Sequence, residues 1–180
     1  MSDAIHAAAT AVEAGIYVSL QSCPHCGRGP LVAAEPDKGS SGADAPIIQI
    51  AGACLHCRDL SLWPFQIISK IKPEDTAEPL VINPTPFPSR IIDVGQWLTL
   101  ARMWEESANG VDSPRGKRNQ LLRVGQCLDE ALKFYDEEEN DLPPTTGVFH
   151  STSIQRLRDH PEQFSRRRLV NWRRRLPHGS

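Results

Sequence analysis

The 180-residue sequence lacks long apolar segments and has few aromatic residues. No run of about 18 apolar residues occurs, so we expect no membrane-spanning helix and no membrane partner. Residues 1–14 lack the basic start and long apolar stretch of a secretory signal, so we expect a cytoplasmic protein. GxSxG, P-loop, HExxH and dinucleotide-binding motifs are also missing, and nothing in the sequence points to an enzyme or to a small-molecule substrate.

The sequence has little net charge, but that charge is unevenly distributed. The formal net charge of the whole chain is −2. Residues 151–180 contain eight Arg and two acidic residues, a balance of +6, whereas residues 1–150 contain 12 basic and 20 acidic residues, a balance of −8. Such an asymmetry is typical of a chain whose basic end contacts nucleic acid or another acidic partner.

The pattern of apolar residues predicts an α+β protein. The alanine-rich residues 4–14 favour a short helix. Runs of β-branched and aromatic residues predict four short strands. These strands are expected at 16–20, 31–34, 47–53 and 60–67, the last interrupted by Pro64. The polar segment 35–46 is rich in turn-forming residues and is predicted to be a loop.

A proline-rich segment divides the sequence into three parts. Residues 72–89 contain five prolines, which rule out a regular helix and predict an extended connector between an N-terminal module, 1–71, and a helical region, 90–180. In the helical region, Asp93 is a helix cap, and Ser113 followed by proline predicts a second helix to about 136. These two helices are predicted to form an antiparallel hairpin, and a basic C-terminal helix is expected over 161–176.

Four of the five cysteines form two C-x2-C pairs separated by 27 residues, Cys23 with Cys26 and Cys54 with Cys57. Each pair lets two thiolates reach one metal ion from a tight turn, and two pairs complete a tetrahedron of four sulfurs. This arrangement predicts one structural Zn2+ ion, although four thiolates can also hold iron. Because four cysteine ligands leave no open coordination position, we assign no catalysis to the metal.

The segment from Cys23 to Gly27, CPHCG, resembles a knuckle of the four-cysteine zinc-ribbon group, which is built on rubredoxin-type knuckles. The resemblance covers residues 16–67 and implies a small β ribbon with strands before both cysteine pairs. The second knuckle matches less closely, because Arg58 stands where glycine is common. Zinc ribbons serve many functions, so the resemblance implies a fold and leaves the function open.

The first cysteine pair also permits a redox interpretation. The tetrapeptide from Cys23 to Cys26 is the same as the active site of strong thiol oxidants of the thioredoxin-like group, where a helix begins at the motif. Gly27, Gly29 and Pro30 oppose such a helix here, and a thiol oxidoreductase does not need the second C-x2-C pair. The fifth cysteine, Cys127, is predicted to be a buried small apolar residue.

The C-terminal segment carries the second candidate binding site. Its members combine guanidinium groups, which bind phosphates, with an indole that can stack on a base. They are Arg166, Arg167, Arg168, Trp172, Arg173, Arg174 and Arg175. An alternative is that this segment folds back on the acidic residues 129–141, with Leu169 and Leu176 packed internally or against a protein partner.

The sequence thus favours a non-enzymatic, zinc-binding adaptor or binding protein that contacts nucleic acid through its basic C-terminal helix. A protein-interaction or accessory subunit is the alternative, and a CxxC oxidoreductase is a weaker one.

Overall fold

The computed structural model describes residues 5–34, 47–69, 82–135 and 140–178, which form a mixed α+β structure. The strands are β1 (His6–Ala8), β2 (Leu31–Ala33), β3 (Ile47–Cys54) and β4 (Leu60–Ile67). The α-helices are α1 (Ala11–Ser19), α2 (Val94–Asn109), α3 (Pro114–Leu132), α4 (Ser151–Asp159) and α5 (Arg166–Arg173). Short 3-10 helices lie at Thr145–Gly147 and Pro161–Phe164. Among the described residues, no helix is long and apolar enough to span a membrane.

The chain divides into two compact units. The first comprises residues 1–85 with 89–91, and the second comprises residues 86–88 with 92–180. All four strands and α1 lie in the first unit, and α2 to α5 lie in the second. The predicted loop 35–46 and residues 70–81 of the predicted connector lie outside the described residues. The described part of the connector, 82–89, contains no helix.

The first unit is a four-stranded sheet covered on one face by α1. The strand order is β1-β4-β3-β2, with β1 parallel to β4 and the other pairs antiparallel. Val18 of α1 is fully buried, and a Cβ atom at Gly52 of β3 would lie 2.8 Å from the Cγ1 atom of Val18. Glycine at position 52 therefore allows the helix to pack closely on the sheet.

The N-terminal segment folds differently from its prediction. The expected helix over 4–14 and strand over 16–20 are both wrong, because β1 occupies 6–8 and α1 covers the later residues. The α1 helix begins where the Thr10 hydroxyl accepts a hydrogen bond of 3.1 Å from the Glu13 N–H. Residues 6–8 form a strand because they pair with β4, and this pairing outweighs the helix propensity of alanine.

The other three strand predictions are confirmed, with one difference. The β4 strand runs without interruption through Pro64, which is paired with Gln49 of β3. The β1 strand reaches only residues 65–67 of β4, so among the described residues no strand is paired with Pro64 on that side. Proline has no N–H to donate, and a strand accommodates it where the ring nitrogen faces an open edge.

In the second unit, α2 and α3 pack against each other and begin at the predicted residues. The Asp93 carboxylate accepts a hydrogen bond of 2.9 Å from the Gln96 N–H, and the Gln96 side chain accepts one from the Asp93 N–H, which completes a capping box. At the start of α3, the Ser113 hydroxyl accepts from the Gly116 N–H at 3.1 Å. The α3 helix ends at Leu132, four residues before the predicted end.

Asp93 also connects α2 to the start of α4. Its carboxylate is fully buried and accepts hydrogen bonds from the Ser153 hydroxyl (2.8 Å), the Phe149 N–H (3.1 Å) and the His150 N–H (2.8 Å). One carboxylate thus satisfies donors from two helix starts, as a buried charge requires.

The predicted C-terminal helix over 161–176 is divided into two parts. A 3-10 helix ends at Phe164, and Ser165 then adopts an extended conformation (φ −62°, ψ 120°) before α5 begins. The Ser165 hydroxyl accepts from the Arg168 N–H at 3.3 Å and caps α5. The basic helix is therefore shorter than predicted.

Candidate metal centre and basic helix

Two tight turns at the same end of the sheet hold the cysteine pairs. The Cys23–Cys26 turn joins α1 to β2, and the Cys54–Cys57 turn joins β3 to β4. A strand therefore precedes only the second pair. The expectation of a strand before the first pair is wrong, because the β-branched residues of α1 pack as a helix over the inner face of the sheet.

The two turns share one hydrogen-bond pattern. In the first, the Cys23 N–H donates to the Arg28 carbonyl (2.7 Å) and the Gly27 N–H donates to the Cys23 carbonyl (2.8 Å). In the second, the Cys54 N–H donates to the Asp59 carbonyl and the Arg58 N–H donates to the Cys54 carbonyl, both at 2.9 Å. The spacings are the same, so the two turns are equivalent knuckles.

Positive φ angles occur at equivalent positions of the knuckles. Gly27 has φ 71° and Arg58 has φ 63°, and each directly follows the second cysteine of its pair. Arg58 is the only non-glycine residue with positive φ among the described parts of the chain. It adopts the conformation that the knuckle requires, at the conformational cost that an L-residue incurs there.

These knuckles bring the four sulfur atoms together. All four Sγ atoms lie within 4.8 Å of one another, and the Cys23–Cys57 and Cys26–Cys54 Sγ distances are both 3.6 Å. A tetrahedral ion with metal–sulfur bonds of about 2.3 Å requires sulfur–sulfur distances of about 3.8 Å. The donor set and its spacing therefore suit one tetrahedral metal ion.

The electrostatics of the thiols also favour a cation. Backbone hydrogen bonding at Cys57 and His56 lowers the pKa of Cys54 to about 6, against the opposing effect of burial. The pKa of Cys57 rises to about 12, because burial and the three neighbouring thiols outweigh a hydrogen bond from the Asp59 backbone. The cluster thus favours one thiolate but resists further negative charge. A bound cation removes that resistance, since metal binding displaces thiol protons.

The remaining cysteine and the two knuckle histidines lie outside this cluster. Cys127 is buried in α3, and burial raises the pKa of its thiol to about 12. A buried neutral thiol is unreactive. His25 and His56 occupy the third position of their knuckles and are exposed.

The basic helix α5 has one buried side and one exposed side. Leu169 and Leu176 are buried in the second unit, and the half-buried Arg173 forms an ion pair with Asp129 of α3 (Nε–Oδ1 2.8 Å). The indole N–H of Trp172 donates to a Glu105 carboxylate oxygen at 3.0 Å. These contacts attach α5 to α2 and α3 and direct Trp172 towards the protein.

The exposed side of α5 and the turn that directly follows it present four guanidinium groups. These belong to Arg167, Arg168, Arg174 and Arg175, at helical spacings i, i+1, i+7 and i+8. None of the four has a carboxylate within 4.0 Å among the described residues. Asn171 lies between the two arginine pairs and is also exposed. We call these five residues the arginine face.

Two of the predicted binding arginines, Arg166 and Arg173, lie outside the arginine face. Arg166 is half-buried at the first turn of α5, where its N–H donates to the Asp141 carbonyl at 2.7 Å. The next N–H along, that of Arg167, donates to the Asp141 carboxylate at 2.9 Å, and this hydrogen bond lowers the Asp141 pKa. Asp141 thus anchors the start of the helix, and Arg166 and Arg173 contribute to its attachment.

Comparisons with protein-family models, with curated proteins and with solved structures give no significant match. The zinc-ribbon resemblance therefore rests on the two knuckles of this chain.

The sequence analysis did not predict that the face of the sheet opposite α1 is apolar and exposed. The signal was present, because β3 and β4 are apolar at both odd and even positions, as in Ile47-Ile48 and Leu62-Trp63. A strand with one wet face alternates apolar and polar residues, whereas a strand covered on both faces is apolar throughout.

Proposed function

We propose that this chain is a non-enzymatic, zinc-stabilised binding protein. Its first unit is a variant zinc ribbon, and its second unit is a helical hairpin that carries a basic helix for nucleic-acid contact. The main support for the proposal is that two equivalent knuckles bring four thiol sulfur atoms close together. Zinc suits four thiolates in a tetrahedron, and a site with four cysteine ligands is closed to substrates.

The geometry does not favour thiol oxidoreductase activity. In that class, a helix begins at the CxxC motif and stabilises the reactive thiolate. Here α1 ends at Ser19, and the residues from Cys23 to Cys26 form a turn that leads into β2. All five cysteines are free thiols, which also supports the expectation of a reducing, cytoplasmic compartment.

Metal analysis of the purified chain tests the zinc assignment. We expect one zinc ion per chain by elemental mass spectrometry, and loss of that ion in Cys26→Ser. The matched control is Cys127→Ser, which removes a buried thiol outside the cluster and should keep full zinc content. A metal-free wild-type protein with a Cys23–Cys26 disulfide would refute the proposal and support the redox alternative.

The arginine face of α5 supports the nucleic-acid part of the proposal. Its two arginine pairs, one in the first turn of α5 and one directly after its last residue, are seven residues apart, which corresponds to about 10.5 Å at the helical rise. A double helix carries one negative charge per about 1.7 Å of its axis, so both pairs can meet phosphates of one duplex. Guanidinium groups without carboxylate partners bind phosphates without first breaking an ion pair.

The environment of Trp172 makes the contact independent of base sequence. A base-stacking residue needs an exposed ring face, whereas this indole is half-buried and donates its N–H to Glu105. Asn171 is the one exposed amide on the arginine face. We therefore propose that α5 binds the phosphate backbone through Arg167, Arg168, Arg174 and Arg175.

Salt titration of binding to labelled DNA and RNA tests this contact. Four phosphate contacts predict a slope of log K against log salt of about −3.6 for duplex DNA, or about −2.8 for a single strand. The double variant Arg167→Gln/Arg174→Gln should halve the slope. The control Arg115→Gln/Lys117→Gln removes the same charge from exposed positions of α3 and should change it little.

Trp172→Phe separates the two modes of contact, because it keeps an aromatic side chain but removes the Glu105 hydrogen bond. If α5 contacts only phosphates, Trp172→Phe should bind with unchanged affinity, and nucleic acids of scrambled sequence should bind equally well. Absence of binding at low salt would refute the nucleic-acid function. Strong sequence preference would refute only the phosphate-backbone mode.

A second candidate is a protein-interaction or accessory subunit with the tail packed internally. The burial of Leu169 and Leu176 and the Arg173–Asp129 ion pair favour it, because they show that α5 has a structural role in the second unit. This candidate predicts that Leu169→Ala destabilises the unit by about 2–5 kcal/mol. The absence of nucleic-acid binding in the salt titration would favour this second candidate.

A further inference from the structure

Among the described residues of the first unit, no helix covers the outer face of the sheet, and the strands place no charged residue on it. The face consists of the side chains that point away from α1 on β2, β3 and β4. They are Val32, Ile47, Gln49, Ala51, Ala53, Leu60, Leu62, Pro64 and Gln66. Seven of these nine side chains are apolar, and the other two are neutral amides. We call this set the outer sheet face.

The large side chains of this face are strongly exposed. The exposed fractions are 49% for Val32, 57% for Ile47, 63% for Leu60 and 54% for Leu62. Leu55, in the turn that directly follows β3, is 73% exposed. Single exposed apolar residues are normal, but a contiguous apolar patch marks an interaction surface.

The register shows that these side chains are neighbours. Val32 is paired with Ala53, Ala53 with Leu60, and Ala51 with Leu62. Directly opposed residues on one face of a sheet lie about 4.5–5.5 Å apart, so the apolar groups form one surface. The inner face, which packs under α1, is apolar as well, with Ile50 and Phe65 fully buried.

We propose that the outer sheet face is the contact surface for a second copy of this chain, in a weak, reversible twofold dimer. In a twofold interface the same patch meets itself, so a charged patch would repel its own copy. The outer sheet face has no charge that could cause this repulsion. For the same reason it offers nothing to attract a nucleic acid or an acidic peptide.

The size of the face sets the strength of the contact. Two strands of eight residues and one of three, about 4.8 Å apart and rising about 3.3 Å per residue, give a flat area of roughly 300 Å² per copy. Stable interfaces bury about 800 Å² per partner, and smaller ones belong to transient complexes. Face-to-face packing of two twisted sheets about 10 Å apart is a common arrangement. The dimer therefore forms and dissociates with protein concentration.

Sedimentation velocity of the zinc-loaded full chain, from about 1 µM to about 1 mM, tests the proposal, because a weak dimer has a dissociation constant within this range. We expect the weight-average sedimentation coefficient to rise with concentration. Leu62→Glu and Leu60→Lys should each remove this rise, because each places an unpaired charge in the interface. Both side chains are more than half exposed, so neither substitution disturbs the core.

Met103→Glu is the matched control, since Met103 is 51% exposed on α2 in the second unit. It should associate like the wild-type chain, with zinc content and far-ultraviolet circular dichroism confirming that every variant is folded. A chain that stays monomeric over the whole range would overturn the proposal. Self-association that survives Leu62→Glu and Leu60→Lys would also overturn it, because another surface would then be responsible. This test needs no nucleic acid, so its result is independent of the function proposed above.

Discussion

The positive φ angle of Arg58 gives a direct test of the equivalent knuckles. An L-residue in the left-handed region costs about 1–2 kcal/mol, whereas glycine adopts it freely but loses about 0.5–1 kcal/mol more backbone entropy on folding. Arg58→Gly should therefore stabilise the knuckle by up to about 1 kcal/mol. Because folding of the knuckle is coupled to metal binding, the metal affinity should rise up to about fivefold.

The reverse change at Gly27 should have the opposite effect. A Cβ atom at position 27 would meet no other atom within 4 Å, so Gly27→Ala adds conformational cost without a steric clash. The left-handed cost of about 1–2 kcal/mol is again partly offset by the backbone entropy that glycine loses on folding, so we expect a net loss of up to about 1 kcal/mol, or an up to about fivefold weaker metal affinity. The two knuckles thus predict opposite signs for two changes at equivalent positions.

Competition with a chromophoric chelator at constant pH measures both effects. Arg58→Ala and Arg58→Asn are the controls, because both remove the guanidinium group but keep a Cβ atom. Asparagine tolerates the left-handed region better than alanine. The expected order of affinity is glycine, then asparagine, then alanine. The reasoning is refuted if Arg58→Gly binds metal no better than Arg58→Ala, since the side chain would then matter and the backbone angle would not.

Three further predictions concern the metal and the second unit. Removal of the metal with a chelator should make the first unit sensitive to protease, while the far-ultraviolet helical signal of the second unit remains. A loss of that signal would contradict the expectation that the second unit folds without the metal. Asp93→Ala should destabilise the second unit by about 3–5 kcal/mol in urea unfolding, because it leaves two buried and two part-buried donors without their acceptor. A change below about 1 kcal/mol would contradict this role. Asp141→Asn should lower the melting temperature at pH 7. The Arg167 backbone hydrogen bond lowers the Asp141 pKa from 3.8, so this stabilisation exists above that pH and is lost as the pH falls through the folded-state pKa. The difference from wild type should therefore vanish in acid, and a difference that persists there would exclude the carboxylate as its source.

Local signals in the sequence were sufficient for the start of each long helix and for the cysteine cluster. Asp93 and Ser113 act within their own first helical turn, so their roles can be read from a few residues. The cysteine pairs are local in the same sense, because each knuckle closes its hydrogen bonds within six residues. Only the approach of one knuckle to the other depends on the sheet.

Signals that depend on distant residues were missed. The β1 strand exists because it pairs with β4, almost 60 residues later, and no local pattern reveals that partner. Without β1, the alanines at 7–9 looked helical and the true helix start at Thr10 was overlooked. The split of the last helix at Ser165 had a local signal, a serine cap before Arg166, which a continuous helical pattern concealed.

Pro64 has a consequence for how the protein behaves when it is concentrated. A sheet edge normally offers a row of N–H and carbonyl groups on which another strand can assemble, and this is how ordered aggregates grow. Among the described residues, β1 pairs with β4 only at 65–67, and the adjoining stretch of β4 contains a residue with no N–H. A strand added there would miss a hydrogen bond, so growth of fibrils from this edge is disfavoured even though the adjoining face is apolar.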